Sequence, residues 1–263
     1  MNKLIINKDK CIGCGICTTD CVRDILELKD GKANLIDNTC IGCGHCIAVC
    51  PTNAIKLDNL DMNEIIELPS DFTKVDPEKF LMTVKTSRSV RQFKANKIDK
   101  EVIEKILEAG RFTATAQNKQ DVSYIVVDNL EKNREIEKLA LDDYNRLKTV
   151  KDDKGNYVLG PYRYADFHED FLFKKAPLLI MTKSTHALNA GLATKSMELM
   201  AEAMGLGVFH VGLFTIRANA NERLKSVLDI QVGEELVTCL AIGYPNIEYK
   251  RTVPREKANI NWI

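Results

Sequence analysis

Several things are missing from this sequence of 263 residues. It has no net charge, since Lys plus Arg and Asp plus Glu both total 37, and that balance argues against nucleic acid or anionic lipid as the main partner. It has no apolar run of membrane-spanning length. Its first residues, MNKLIINKDK, lack both the hydrophobic core and the small-residue cleavage site of a signal peptide. A cytoplasmic chain with no membrane partner is therefore expected. No strand-linked GxGxxG occurs, so a Rossmann nicotinamide site is not indicated. Between Cys50 and Cys239 there is no cysteine at all. What remains is ordinary enough for a globular protein: 45% hydrophobic residues supply a core for one large domain or two unequal ones.

Eight of the nine cysteines fall in two near-copies of one phrase, CIGCGICTTDC from Cys11 to Cys21 and CIGCGHCIAVC from Cys40 to Cys50. Corresponding cysteines lie 29 residues apart, and DILEL after Cys21 matches NAIKL after Cys50. This is an internal duplication. In a cytosolic chain such clustering points to metal or redox chemistry rather than disulfides. A zinc ribbon would use pairs of cysteines with a long gap, whereas three thiolates this close suit one face of a cuboidal iron–sulfur cluster. Gly13, Gly15, Gly42 and Gly44 let the backbone fold tightly around them.

This phrase resembles that of bacterial two-cluster ferredoxins, over about residues 1–58. The resemblance implies two 4Fe-4S clusters, each taking its fourth ligand from the other copy. Cys11, Cys14, Cys17 and Cys50 would hold one, and Cys40, Cys43, Cys46 and Cys21 the other. Pro51 follows Cys50 as the family pattern requires, but Val22 stands where a second proline is usual, a change expected to touch the second cluster's potential and not its ligation. His45 reads as a polar surface residue beside that cluster.

Short runs, KLIIN, ILEL, ANLI and AIKL, bracket the loops and read as paired strands. Residues 59–79, acidic and containing Pro69 and Pro77, read as a connector with a short helix around Glu64. Residues 80–263 are of mixed type. DKEVIEKILEAG sets Val102, Ile103, Ile106 and Leu107 on one helical face, with Asp99 as cap and an end near Gly110. VSYIVVD, APLLIMT and ELVTCLAIGYP are runs of buried-strand length, and ALNAGLATKSMELMAEAMGLG is a central buried helix. Cys239 lies inside an apolar run and reads as core. The fold class expected is α+β throughout, a small ferredoxin-like domain followed by a larger α+β one.

TSRSVRQF, from Thr86 to Phe93, groups Arg88, Ser89 and Arg91 in a manner suited to a phosphate. With RFTATAQNKQDVSYIVV, AEAMGLGVFHVG, AIGYP and VPREKANINW in that order, it resembles the FMN-dependent nitroreductase family. That resemblance implies that Arg88, Ser89 and Arg91 bind the FMN phosphate and ribityl chain, with Arg255 adding a second positive group. It further implies that Asn118 and Gln120 contact the ring or ribityl chain, and that backbone at Val211 and Gly212 approaches the isoalloxazine. Ser87 stands where the family commonly has arginine, and Ala114, Ala116 and the QDV tripeptide also depart from its pattern. Residues 151–175 match it least. Their Tyr157, Tyr162, Tyr164, Phe167 and Phe171 suit either a substrate wall or core. His168, His186 and His210 have positional interest only.

Together the two resemblances imply an oxidoreductase that passes electrons through two 4Fe-4S clusters to FMN and on to a small organic acceptor such as a nitroaromatic, quinone or activated alkene. No side chain need act as nucleophile. The donor would be an external ferredoxin or NAD(P)H, the assembly a homodimer sharing FMN at its interface, and the setting an anoxic cytoplasm. The alternative is an electron-transfer protein relaying electrons between partner proteins; a further one leaves the ferredoxin half as a docking module.

Overall fold

The computed structural model describes residues 3–263. It divides into two units, one running to Lys74 and taking in Thr115–Lys119, the other comprising Val75–Ala114 and Gln120–Ile263.

The first unit repeats one pattern. Strand β1 (Leu4–Ile6), helix α1 (Ile16–Thr19) and β2 (Leu26–Lys29) are followed by β3 (Lys32–Leu35), α2 (His45–Ala48) and β4 (Ile55–Leu57). β1 pairs antiparallel with β4 and β2 with β3, so each ribbon takes one strand from each copy. Both helices start after a left-handed glycine, Gly15 at φ 77° and Gly44 at φ 75°. Gly13 is constrained twice over: its φ is +73°, and a Cβ there would sit 2.1 Å from the Gly31 carbonyl oxygen. Leu4, Ile25, Leu26, Ala33, Ala54, Ile55 and Leu57 form the core beneath the cysteines. A 3-10 turn, Met62–Glu64, follows, started by the Asp61 side chain accepting from Asn63 N–H.

The second unit is an antiparallel sheet with helices on both faces. Its helices and strands are α3 (Pro77–Thr86), α4 (Lys100–Arg111), β5 (Ser123–Val127), α5 (Leu130–Leu147), β6 (Leu178–Ser184), α6 (Ala187–Ala203), β7 (Gly207–His210), α7 (Gly212–Ala220), α8 (Glu222–Val227) and β8 (Glu235–Gly243). The sheet order is β5-β6-β8-β7. Strand alternation sends Leu178, Ile180, Leu240 and Ile242 to the face covered by α4 and α6. Leu179, Met181, Cys239 and Ala241 point to the face covered by α5 and α7. Both faces of the central strands are thus apolar, which is why β6 reads as a continuous buried run rather than an alternating one.

Helix α4 buries Ile103 and Ile106 as its periodicity predicts. Two details differ. Asp99 occupies the N-cap position without a side-chain capping bond, and the helix runs to Arg111, one residue beyond Gly110. The 18-residue α5 escapes sequence reading because its buried face, Ile136, Ala140, Leu141 and Tyr144, is diluted by buried Asn133, Glu137 and Asp143. In the 151–175 region the aromatics divide. Phe167 is core, stacked on Tyr144 at 4.7 Å, while Tyr162 and Tyr164 face solvent. Among the described residues no helix is long and apolar enough to cross a membrane.

Candidate functional site

The first unit gathers its cysteines into two fours. Cys11, Cys14, Cys17 and Cys50 line one cavity together with Ile12, Ile16 and Val49. Cys21, Cys40, Cys43 and Cys46 line a second, with Val22, Ile41 and His45 at its edge. The packing of α1 against α2 brings each terminal cysteine to the other copy's loop. None of these thiols is in a disulfide.

The thiols feel one another. Burial raises Cys17, and the neighbouring Cys14, Cys11 and Cys50 raise it further. Burial likewise pushes Cys46 up to about 12, with Cys40, Cys43 and Cys21 adding to it. Two of the thiols are eased the other way. The Ala33 N–H, at 3.3 Å, and the Gly13 N–H hold Cys11 below its ordinary value. Burial raises Cys50, but the N–H groups of Ala54, at 3.2 Å, and Thr52 outweigh it. Gly42 N–H donates to Cys40 Sγ at 3.4 Å. Thiols that oppose one another's ionisation need a shared cation to become thiolates together. Among the described residues no three His, Cys, Asp or Glu side chains converge as ligands of a single ion would. Sulfurs set around a space rather than at a point fit a polynuclear cluster better than one zinc.

Of the expected flavin residues, those of the Arg88–Arg91 segment lie beside β7, and Val211 and Gly212 directly follow it. Ser89 bridges Val208 in parallel, and Val90 N–H donates to the Val208 carbonyl at 2.9 Å, so the Arg88–Arg91 segment runs beside that strand. This close approach explains Gly207, where a Cβ would lie 2.6 Å from Val90 Cγ2. Arg88 and Ser89 are half-buried, and Arg91 is exposed with its guanidinium over the Phe209 ring at 5.3 Å. β7 then leads through Val211, buried and at the N-cap of α7, to Gly212, where a Cβ would meet nothing within 4 Å. Gln120 is exposed with φ 49°, and the following Asp121 is anchored by Asn189 and Ser184 at 2.6 and 3.2 Å. Arg255 lies in the exposed stretch 251–263. Asn118 belongs to the first unit, where its amide donates to the carbonyls of Ile41 and Gly42 at 3.3 and 2.9 Å.

One cluster was not singled out by sequence. Ser87 Oγ lies 2.7 Å from Glu202 Oε1 and 3.2 Å from Glu198 Oε1. Glu198 Oε2 in turn meets His210 Nε2 at 3.1 Å and Lys195 Nζ at 3.0 Å. Burial acts to raise Glu198, yet the bonds from His210 and Lys195 prevail and hold it down at about 2. Burial and then the Glu198 charge raise Glu202 against the Ser87 hydrogen bond and the charges of Lys195 and His210. The residue that replaces the family's arginine is thus tied to two carboxylates. The signal that would have revealed them is their spacing: Glu198 and Glu202 are one turn apart on α6 and so share a face.

Comparison with known proteins matches both parts of the chain. A nitroreductase family model matches residues 84–244, and a 4Fe-4S dicluster domain model matches residues 4–57. Among curated proteins, an NADPH-dependent oxidoreductase of Staphylococcus haemolyticus is 29% identical over 171 residues, covering 62% of this chain and 63% of the relative. One from Staphylococcus aureus is 27% identical over 167 residues with the same coverage. The chain therefore spans about 63% of the length of these curated relatives. Among solved structures, a nitroreductase with bound FMN from Bacteroides fragilis is similar at TM-score 0.55 and 19% identity, covering 69% of this chain and 97% of that one. Iodotyrosine deiodinase bound to FMN and 3-iodo-L-tyrosine is similar at TM-score 0.55 and 19% identity, with the same coverage. At these identities the likeness is one of fold.

Proposed function

Because the chain belongs to the nitroreductase family and carries a 4Fe-4S dicluster domain ahead of that region, we propose that it is an FMN-dependent iron–sulfur oxidoreductase. Electrons enter through two 4Fe-4S clusters, pass to FMN and leave on an organic acceptor such as a nitroaromatic, quinone or activated alkene. The observation that carries this reading is the partition of the cysteines into two fours, each drawing on both copies of the motif.

When bound, the clusters move single electrons and FMN gives them on in pairs. The chain's own groups have simpler tasks. Cys11, Cys14, Cys17 and Cys50 would hold one cluster, and Cys21, Cys40, Cys43 and Cys46 the other. Arg88 and Arg91 supply positive charge and Ser89 a hydroxyl for the FMN phosphate and ribityl chain, with Arg255 a further cation from the carboxyl-terminal stretch and Gln120 a polar contact. The open space over Gly212 at the start of α7 leaves backbone N–H groups accessible to a flat ring. The Asn118 amide already donates to the Ile41 and Gly42 carbonyls.

An external low-potential ferredoxin as donor is supported by the surface around the first cavity, where Cys14 is exposed and Ile12 and Ile16 are 64% and 45% exposed. A homodimer is supported by α3, whose Phe80, Leu81, Met82 and Val84 are all exposed. The test is anaerobic purification followed by mixing with reduced ferredoxin, NADPH and NADH in turn while flavin bleaching is followed. Iron and FMN in the ratio of two clusters to one flavin, bleaching by ferredoxin, and slow bleaching in Cys14→Ala are expected. A colourless protein overturns the reading. Stoichiometric oxidation by a second protein without turnover of any organic acceptor would favour a relay instead.

A further inference from the structure

Asn118 lies in a turn with an unusual backbone. Gln117, Asn118 and Gln120 all have positive φ, at 55°, 52° and 49°. Non-glycine residues seldom enter this region, and a run of them persists only where surrounding contacts hold it. The Asn118 side chain is one such contact. Its amide reaches the Ile41 carbonyl at 3.3 Å and the Gly42 carbonyl at 2.9 Å, both inside the first unit and both between two cysteines of the second group.

The Ile41 carbonyl and the Gly42 N–H are opposite ends of one peptide group. The Gly42 N–H donates to Cys40 Sγ at 3.4 Å. A continuous chain results: Asn118 Nδ2–H to Ile41 C=O, then Gly42 N–H to Cys40 Sγ. Drawing electron density toward the carbonyl makes the N–H of the same peptide a better donor, so the two bonds strengthen each other. They also fix the orientation of that peptide against the sulfur.

We propose that Asn118 is a positioning residue for the second cysteine group, acting through the Ile41–Gly42 peptide to raise the reduction potential of the cluster held by Cys21, Cys40, Cys43 and Cys46. This rests on the two-cluster reading above. Hydrogen bonds to a cluster's sulfurs favour the reduced, more negative state. Removing the outer donor leaves the inner N–H···S bond weaker and less well aimed.

The experiment uses the full chain, purified anaerobically, with iron and sulfide measured before an EPR-monitored redox titration. Asn118→Ala should lower the midpoint of one cluster, changing its oxidised-to-reduced ratio at fixed potential by about two- to tenfold, the range of a single hydrogen bond. The other midpoint should stay where it is. Asn118→Asp keeps the shape and tolerates the left-handed backbone. It cannot donate and adds negative charge, so its shift should be in the same direction and at least as large. The shift should persist in Cys14→Ala, which spoils the first group, and vanish in Cys43→Ala. Normal iron content with both midpoints unmoved in both variants, or both moving together, overturns the proposal alone. Absence of iron from the unmodified protein overturns the two-cluster reading and this proposal with it.

Discussion

The two units place their chemistry differently. In the first, every clustered cysteine occurs twice at a fixed interval, and the backbone follows. Gly13 and Gly42 have φ 73° and 67°, and Asp24 and Asn53 have φ 52° and 50°. Each of the latter pair closes a turn onto the carbonyl of Cys21 or Cys50. In the second unit the polar residues that meet at the end of β7, namely Ser87, Glu198, Glu202 and His210, occur once, and Ser87 joins carboxylates 111 and 115 positions away. Repetition exposes a ligand set to inspection, while convergence hides it. Repetition also has a limit, because surroundings are not copied. Burial raises both Cys17 and Cys46, which correspond, but the matched pair Cys11 and Cys40 differ: the Ala33 N–H reaches Cys11 Sγ from β3 at 3.3 Å, and the N–H on Cys40 Sγ, at 3.4 Å, is that of nearby Gly42.

The largest effect should come from breaking the duplication across its grain. If ligands cross between copies, Cys50→Ala and Cys11→Ala remove the same cluster, although they belong to different phrases. Cys21→Ala and Cys40→Ala remove the other. Iron analysis and low-temperature EPR should show matching losses within each pair and different signals between pairs. Matching losses by phrase, Cys11 with Cys21, would overturn the crossed assignment.

Next is the glycine frame. Gly13→Ala forces a methyl against the Gly31 carbonyl, 2.1 Å from an ideal Cβ, in addition to its left-handed backbone. Gly44→Ala meets nothing within 4 Å and has the backbone cost alone. The first should destabilise the unit by about 3 kcal/mol or more and the second by about 1 to 2 kcal/mol. Chemical denaturation of the anaerobic protein, with loss of cluster absorbance as the signal, separates them. Equal costs would mean that Gly13 is no more constrained than its neighbours.

These contrasts also explain what could be read in advance. The cysteine spacing, the strands beside it, α4, α6 and the central strands were legible because each rests on a local period of hydrophobicity or a repeated phrase. The Arg88–Arg91 segment stands out in the sequence by its grouped arginines, and the structure adds its place beside β7. Helix α5 was not legible, since buried Asn133 and Glu137 interrupt its apolar face for tertiary reasons: Asn133 donates to the Ala176 carbonyl and Glu137 accepts from Asp170, Leu172 and Phe173 N–H. The Asn118 contact was equally hidden. No local pattern announces a side chain whose partners lie 76 and 77 residues away.

The convergent cluster of the second unit should respond to pH where the duplicated glycines do not. Glu198 titrates near 2 in the folded protein against an ordinary 4.5. A depressed carboxyl contributes stability above its unfolded value and loses it as pH falls through the folded one. Glu198→Gln should therefore cost about 2 kcal/mol at neutral pH, allowing for the partial exposure of His210 and Lys195. That cost should shrink between about pH 4.5 and 2. Urea midpoints of both proteins across this range test it; a cost independent of pH would mean packing, not charge, is what Glu198 supplies.

The smallest effect tests how far the two copies are interchangeable. Val22 and Pro51 hold the same place in matching turns, Asp24 N–H to the Cys21 carbonyl at 3.0 Å and Asn53 N–H to the Cys50 carbonyl at 3.4 Å. This is the second position of a turn, where the fixed φ of proline is favourable. Val22 is 74% exposed, so little packing is lost with its side chain. Val22→Pro should then stabilise the first unit by about 0.4 to 1 kcal/mol, acting mainly by restricting the unfolded chain. The denaturation midpoint should rise while cluster content is unchanged. A fall instead would show that the Val22 N–H or the backbone of Cys21 needs a freedom that proline removes, and that the duplicated turns, alike in their hydrogen bonds, differ in the conformation beneath them.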